Sequence, residues 1–266
     1  MSSNQGLVET ELITQEETDR KSNTRTALKT KRIIWVTGGK GGTGKSTFAR
    51  GMLDTLMAAG IKVVVFDGDP DNSQLFRFYK NADVEVTRIP IHKRNGADDI
   101  ILEMEEKQTP IILVDVPAGG GNLLAGLEDE VGFLSALEEV GYQMTLVTVL
   151  SRIKDSVNQL KLAMDITEGY DVAHVAVQNL FYGRPEQFSL LEGSNTKRRL
   201  LEKGGVVIKM RDLFDDTYAR LDGADLSFQD AVLPDSEVSP PDIRKINQWL
   251  QHFKAEVLST GGLLGL

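Results

Sequence analysis

Residues 38–47 read Gly-Gly-Lys-Gly-Gly-Thr-Gly-Lys-Ser-Thr, and no other stretch of the chain limits its fold so tightly. Gly39, four further residues, Gly44, Lys45 and Ser46 satisfy the pattern G-x-x-x-x-G-K-[ST]. The glycines let the backbone curl and aim its N–H groups at an anion. On this pattern Lys45 reaches the β and γ phosphates of a nucleotide, and the Ser46 hydroxyl holds a magnesium ion. Gly39, Lys40, Gly41, Gly42, Thr43, Gly44 and Thr47 complete the expected nucleotide-binding set. The flanks suit the motif. Ile33-Ile34-Trp35-Val36 reads as a buried strand, while Phe48, Met52, Leu53, Leu56 and Met57 recur at helical spacing. Phosphate would then sit on a helix N-terminus. A glycine-rich link with no ligand is the alternative, and the full pattern in this context stands against it.

Two more apolar runs end in acids. Ile61 to Phe66 leads into Asp67-Gly68-Asp69-Pro70-Asp71, and Ile111-Ile112-Leu113-Val114 leads into Asp115. Residues that bind ligands cluster at such C-terminal strand ends in parallel sheets. Asp115 closes a run of the Walker B form, in which the carboxylate binds magnesium through its water shell. Gly119, Gly120 and Gly121 follow it, a loop free to change conformation as a nucleotide switch requires. Further strands are expected at 143–150, 172–177 and 206–208, and a short one at 84–89. Helices are expected at 100–107, at 123–140 with a break near Gly132, from Ile153 to Met164, and from Pro240 to Val257 with Ser239 as cap. The alternation predicts an α/β fold: a doubly wound, mainly parallel sheet with helices on both faces. The divisions read as a flexible polar tail over 1–30, a nucleotide-binding domain over 31–258 and a short C-terminal tail over 259–266.

Lys40 gives the loop a second lysine, in the order K-G-G-T-G-K-S-T. With it the chain resembles the ParA/MinD family of deviant Walker A P-loop ATPases. The resemblance rests on residues 38–47, on Asp67-Gly68-Asp69-Pro70, and on Asp115-Val116-Pro117-Ala118-Gly119, similar to the D-x-P-A-G of the MinD side. It implies ATP and Mg2+ as ligands and ATP hydrolysis as the reaction. By the match Lys40 reaches across a nucleotide-sandwich homodimer to the partner's phosphates, and Asp69 orients the attacking water. Asp67 helps hold the metal shell, and Pro117, Ala118 and Gly119 form a switch. Asn179, near a strand end, is either the family's adenine contact or a plain loop residue. Many relatives have glutamine where this chain has Asp71, so no role passes to that residue. An N-K-x-D motif of GTP-binding relatives is absent here, which favours ATP.

Composition narrows the partners. The absence of cysteine removes thiolate metal sites and iron–sulfur clusters and fits a reducing cytoplasm. The net charge of −9 argues against a generally adhesive nucleic-acid binder but leaves room for a local basic patch. Lys197, Arg198, Arg199 and Lys203 are the densest such cluster, either a solvated helix face or part of a DNA-binding surface. Arg152, Lys154 and Lys161 are secondary candidates. Met1 is followed by polar residues rather than a signal peptide, and no run is long enough to span a bilayer. For the helix over 240–257, core packing is favoured over a MinD-like membrane anchor, because it has few cations beside a neutral glycine- and leucine-rich end.

The resemblance thus implies a short ParA-type ATPase. It would dimerise on MgATP, bind DNA nonspecifically, and segregate or position a plasmid or conjugative cargo. A centromere-binding or adaptor protein would stimulate slow hydrolysis. The alternatives are a MinD-like membrane-surface positioning ATPase, or a nucleotide-gated interaction module for secretion, conjugation or cellulose synthesis.

Overall fold

The computed structural model describes residues 31–69 and 73–266. The tail read over 1–30, and Pro70 and Asp71 of the second motif, lie outside the described residues. Seven strands form one sheet: β1 (Lys31–Gly38), β2 (Val63–Asp67), β3 (Glu85–Arg88), β4 (Ile111–Asp115), β5 (Tyr142–Leu150), β6 (Val172–Asn179) and β7 (Val206–Met210). They lie in the order β3-β2-β4-β1-β5-β6-β7, every neighbouring pair parallel. Central strands of such a sheet are covered on both faces, which is why β1, β2 and β4 are continuous apolar runs rather than alternating ones.

Register matters for function. Asp115 lies opposite Asp67 on one side and Val36 on the other, so two carboxylates finish side by side where the phosphate-binding loop leaves β1. The order of strand addition reverses about β1, with β2 to β4 on one side of it and β5 to β7 on the other. Open α/β sheets bind ligands at the strand C-termini beside such a reversal.

The helices are α1 (Lys45–Ala58), α2 (Gln74–Tyr79), α3 (Asp98–Leu102), α4 (Gly120–Val131), α5 (Phe133–Glu139), α6 (Lys154–Ile166), α7 (Ser189–Glu192), α8 (Asn195–Glu202), α9 (Asp215–Gly223) and α10 (Pro240–Leu258). Alternate residues of β1 feed opposite cores. Ile34 and Val36 pack with Phe48 and Leu53 of α1, Phe78 of α2 and Phe253 of α10. Ile33 and Trp35 pack with Ile100 of α3, Leu124 of α4 and Phe133 of α5. Each large side chain buried this way contributes about 1.5–3 kcal/mol against exposure. Gly132, at φ 62°, separates α4 from α5 as the sequence suggested. The expected helix over 100–107 begins at Asp98 as α3 and runs into a π turn over Glu103–Lys107.

The Ser239 hydroxyl accepts from the Asp242 backbone N–H and caps α10, while Pro240 and Pro241 occupy its first turn. Its stripe of Ile246, Trp249, Phe253 and Val257 is buried against the back of α1. That stripe is therefore filled by core and not free to lie on a bilayer. No helix among the described residues is long and apolar enough to cross a membrane. The residues after α10 depart from the expected tail. Leu264 is fully buried, the Thr145 hydroxyl donates to the Leu263 carbonyl, and Gly265 lies against Ile111. Residues 259–266 are thus packed onto the sheet, because three leucines among the glycines have apolar surface to bury.

Candidate nucleotide-binding site

The phosphate-binding loop is shaped by left-handed glycines and braced from three directions. Gly42 and Gly44 take φ of 79° and 95°, open to glycine at little cost, and a Cβ at Gly44 would collide with the Asn179 side chain. Asn179 Nδ2 donates to the Thr43 carbonyl at 2.9 Å, and Tyr182 Oη donates to the Gly42 carbonyl at 2.5 Å. The Gly119 N–H donates to the Gly39 carbonyl at 3.2 Å and ties the segment after β4 to the loop. Lys45 is buried where α1 begins, whereas Lys40, Gly41 and Gly42 are exposed at the loop tip.

Beneath the loop lie the acids. Asp67 and Asp115 are each 1 % exposed. Asp67 accepts from the Phe76 N–H at 3.0 Å and the Asp69 N–H at 3.3 Å. Burial pushes its carboxyl up to about 6, and those N–H groups moderate the rise. Burial likewise raises Asp115 to about 7; the Ser46 hydroxyl and Lys45 favour its charged form, and the neighbouring Asp67 opposes it. Ser46 approaches Asp115, yet neither Asp115 oxygen completes a hydrogen bond. A buried carboxylate with no donor is costly unless a cation or its waters supply one. Hydrated Mg2+ fits this donor set of one hydroxyl and two carboxylates. It binds through few protein oxygens and keeps waters and phosphate oxygens for the rest. Accordingly, no group of three or more His, Cys, Asp or Glu among the described residues converges to cage a metal alone.

The loop opens into a cleft of 760 Å³ that Gly41, Gly42, Gly44, Lys45, Ser46, Thr47, Asp69, Pro117 and Ala118 line from one side. Gly119 begins α4 at φ 82°. Asn179 also lines the cleft, but its amide is engaged as a brace: Nδ2 on Thr43 and Oδ1 accepting from the Phe181 N–H. The opposite wall has no counterpart in the sequence reading. Phe181 follows β6, Met210 ends β7, Arg211 and Leu213 follow it, and Tyr218 belongs to α9. The one signal that pointed there is position, since both segments leave C-terminal strand ends. Asp155 of α6 was also missed. A Cβ at Gly39 would come within 2.8 Å of its Oδ2, so glycine there admits a carboxylate against the loop, one residue before Lys40.

The basic cluster is not brought together as a free cationic patch. Arg199 pairs with Asp165 and Glu168, Lys203 with Glu168 at 2.7 Å, Lys197 with Glu192 at 2.5 Å, and Arg198 with Glu202 at 4.0 Å. Lys161 is likewise held by Asp165 at 2.6 Å. Arg152 and Lys154, by contrast, are exposed and form no ion pair with a described residue.

A parallel sheet with a glycine-braced loop, a buried lysine and two strand-end carboxylates defines a P-loop nucleotide-binding protein, here with a second lysine at the loop tip. Residues 34–257 match the CobQ/CobB/MinD/ParA nucleotide binding domain, and the chain belongs to that family. It is 26% identical over 194 residues to Protein MobD of Acidithiobacillus ferrooxidans, a match covering 71% of this chain and 83% of that one. Among solved structures it resembles the septum site-determining protein MinD complexed with Mg-ADP from Pyrococcus horikoshii OT3, with TM-score 0.53 and 18% identity. That likeness covers 88% of this chain and 99% of MinD, and it shows a shared fold.

Proposed function

We propose that the chain is a ParA-like ATPase that dimerises on MgATP, binds DNA nonspecifically, and segregates or positions a plasmid or conjugative cargo. Hydrolysis would be slow and stimulated by a centromere-binding or adaptor protein. The observation that carries this reading is the division of labour between the two lysines. Lys45 lies buried in its own cleft, whereas Lys40 stands exposed at the loop tip and does not line that cleft. A cation so placed suits phosphates held by a second copy.

In this reading the loop N–H groups and Lys45 bind the phosphates, with Lys40 of the other subunit adding positive charge as negative charge shifts toward the leaving oxygen. Mg2+ bound at Ser46, Asp67 and Asp115 supplies neutralising charge at the phosphate oxygens. Asp69, at the cleft edge, accepts a hydrogen bond from the attacking water and sets its line of approach. Pro117, Ala118 and Gly119 respond to the phosphate, and the Gly119–Gly39 hydrogen bond carries that response to the loop. Because the 197–203 cluster is matched by acids, Arg152 and Lys154 are the better DNA contacts. Pairing two subunits doubles their number, and phosphate contacts accumulate.

Retention on nonspecific duplex DNA with ATP, with ADP, and with Lys40→Ala tests the reading. Retention with ATP alone, lost at high salt and in the variant, is expected. No retention under any nucleotide would overturn the partition role and leave a nucleotide-gated module with a protein partner.

A further inference from the structure

The Tyr218 hydroxyl joins three segments that the motifs leave unconnected. It accepts from Thr47 Oγ1 at 3.4 Å and from Arg50 Nη1 at 3.5 Å, and it donates to Gln74 Oε1 at 3.3 Å. A phenol has one proton and two lone pairs, so every hydrogen-bonding capacity of this oxygen is used. Thr47 follows the metal-binding Ser46 on α1. Gln74 opens α2, the helix that follows the Asp67–Asp69 motif. Tyr218 itself belongs to α9 and lines the cleft wall built after β7.

The other member, Arg50, is fully buried. Its guanidinium lies 3.7 Å from the Phe78 ring centre and 4.4 Å from that of Phe228, and Nη2 donates to the Leu226 carbonyl at 3.0 Å. Nucleotide binding and hydrolysis as read above give this buried charge no task. Its position gives it one, since it holds the tyrosine from below while Thr47 and Gln74 meet the same oxygen near the cleft. From Gln74 the connection runs on to the acids. The Phe76 N–H donates to Asp67 Oδ2 at 3.0 Å, and Ser73 Oγ donates to the Asp69 carbonyl at 2.9 Å.

We propose that Tyr218 is a positioning residue for hydrolysis, its hydroxyl fixing the start of α2, and through it Asp67 and Asp69, against the phosphate-binding helix. This rests on the hydrolysis reading above. The contacts are long, so each is weak alone, and their effect lies in sharing one oxygen: a shift of α2 relative to α1 must break at least one of them. Small misplacement of a water-orienting group costs turnover more than binding.

The test uses the full chain with Tyr218→Phe, which keeps the ring beside Arg50 and removes only the oxygen, together with Gln74→Leu and the double variant. Steady-state kinetics with MgATP are expected to show kcat lowered about tenfold with KM within about threefold of the parent. The two changes should be strongly non-additive. Amide exchange over residues 73–79, measured with a non-hydrolysable ATP analogue, should quicken in Tyr218→Phe. Unchanged kcat and exchange, additive losses, or a lowered melting temperature with intact kinetics would each overturn the proposal. If the parent protein shows no turnover, the hydrolysis reading fails, and the exchange measurement still decides whether the junction holds α2.

Discussion

Replacing Gly51 by alanine sets two effects of known sign against each other. Gly51 lies inside α1, where alanine is favoured over glycine by about 0.8–1 kcal/mol in an exposed helix. Here the added Cβ would lie 2.8 Å from Trp249 Cη2 and 3.1 Å from Phe253 Cζ, well inside the usual 3.5–4.0 Å carbon contact. Neither ring can retreat cheaply. They stack at 5.0 Å on each other, Trp249 also meets Phe228 at 4.8 Å, and its Nε1 donates to the Arg211 carbonyl at 2.7 Å. Overpacking of this kind costs about 1–3 kcal/mol. The net expectation is destabilisation of up to about 2 kcal/mol, read from guanidinium denaturation followed by circular dichroism. Trp249→Phe removes the atom nearest the new methyl. In that background the cost of Gly51→Ala should shrink, with Phe253 Cζ left as the nearest contact, and the reduction is the coupling between the two positions. If Gly51→Ala stabilises the parent by the full propensity gain, α10 does not pack there, and the case against a surface-binding C-terminal helix falls with it.

Asp115→Asn should abolish the Mg2+-dependent part of ATP binding in calorimetry. It should also leave the metal-free protein as stable as the parent, or more so by about 1–2 kcal/mol, because an unpartnered buried carboxylate is removed; clear destabilisation without metal would refute this. Burial raises the Asp54 carboxyl to about 7, above the roughly 3.9 of an unfolded chain. The folded state then holds a proton the unfolded state releases, so this group's contribution to stability declines as pH rises from about 4 through 7. Denaturation midpoints at pH 5 and pH 8 should lie closer together in Asp54→Asn than in the parent, and equal spacing would refute the assignment. The Asp242 carboxyl is held far below the usual range by hydrogen bonds from Arg220, Ser239 and Thr217. Its contribution is present above about pH 4 and lost as pH falls below that. Asp242→Ala should cost about 2–4 kcal/mol at pH 7, and a loss under 0.5 kcal/mol, roughly the level of an ordinary surface change, would show that the cap and its ion pairs are idle.

Much of the architecture was legible because buried parallel strands announce themselves as unbroken apolar runs, as in Ile111–Val114. The phosphate loop was legible because its chemistry needs fixed residues at fixed spacing. The far wall of the cleft was not, since Phe181, Met210 and Tyr218 come from separate segments whose convergence exists only in three dimensions. The basic cluster shows the same limit from the other side. Lys197 to Lys203 stand out along the chain, but the acids that neutralise Arg199 and Lys203, Asp165 and Glu168, lie more than thirty residues away. Residues 259–266 were hidden by their glycines, which suggest mobility, although Leu264 alone gives the segment a reason to dock.

The braces on the phosphate loop bear on affinity before any ligand arrives. A loop so rich in glycine has more conformational freedom to surrender than other sequences. Ordering a residue costs about 1–2 kcal/mol. If Gly42, Thr43 and Gly44 were ordered only on nucleotide binding, the charge to affinity would be about 3–6 kcal/mol, or about two to four decades in dissociation constant. Asn179 and Tyr182 hold the Thr43 and Gly42 carbonyls in the folded chain, so much of that entropy is surrendered during folding, and the cleft meets its ligand already in shape.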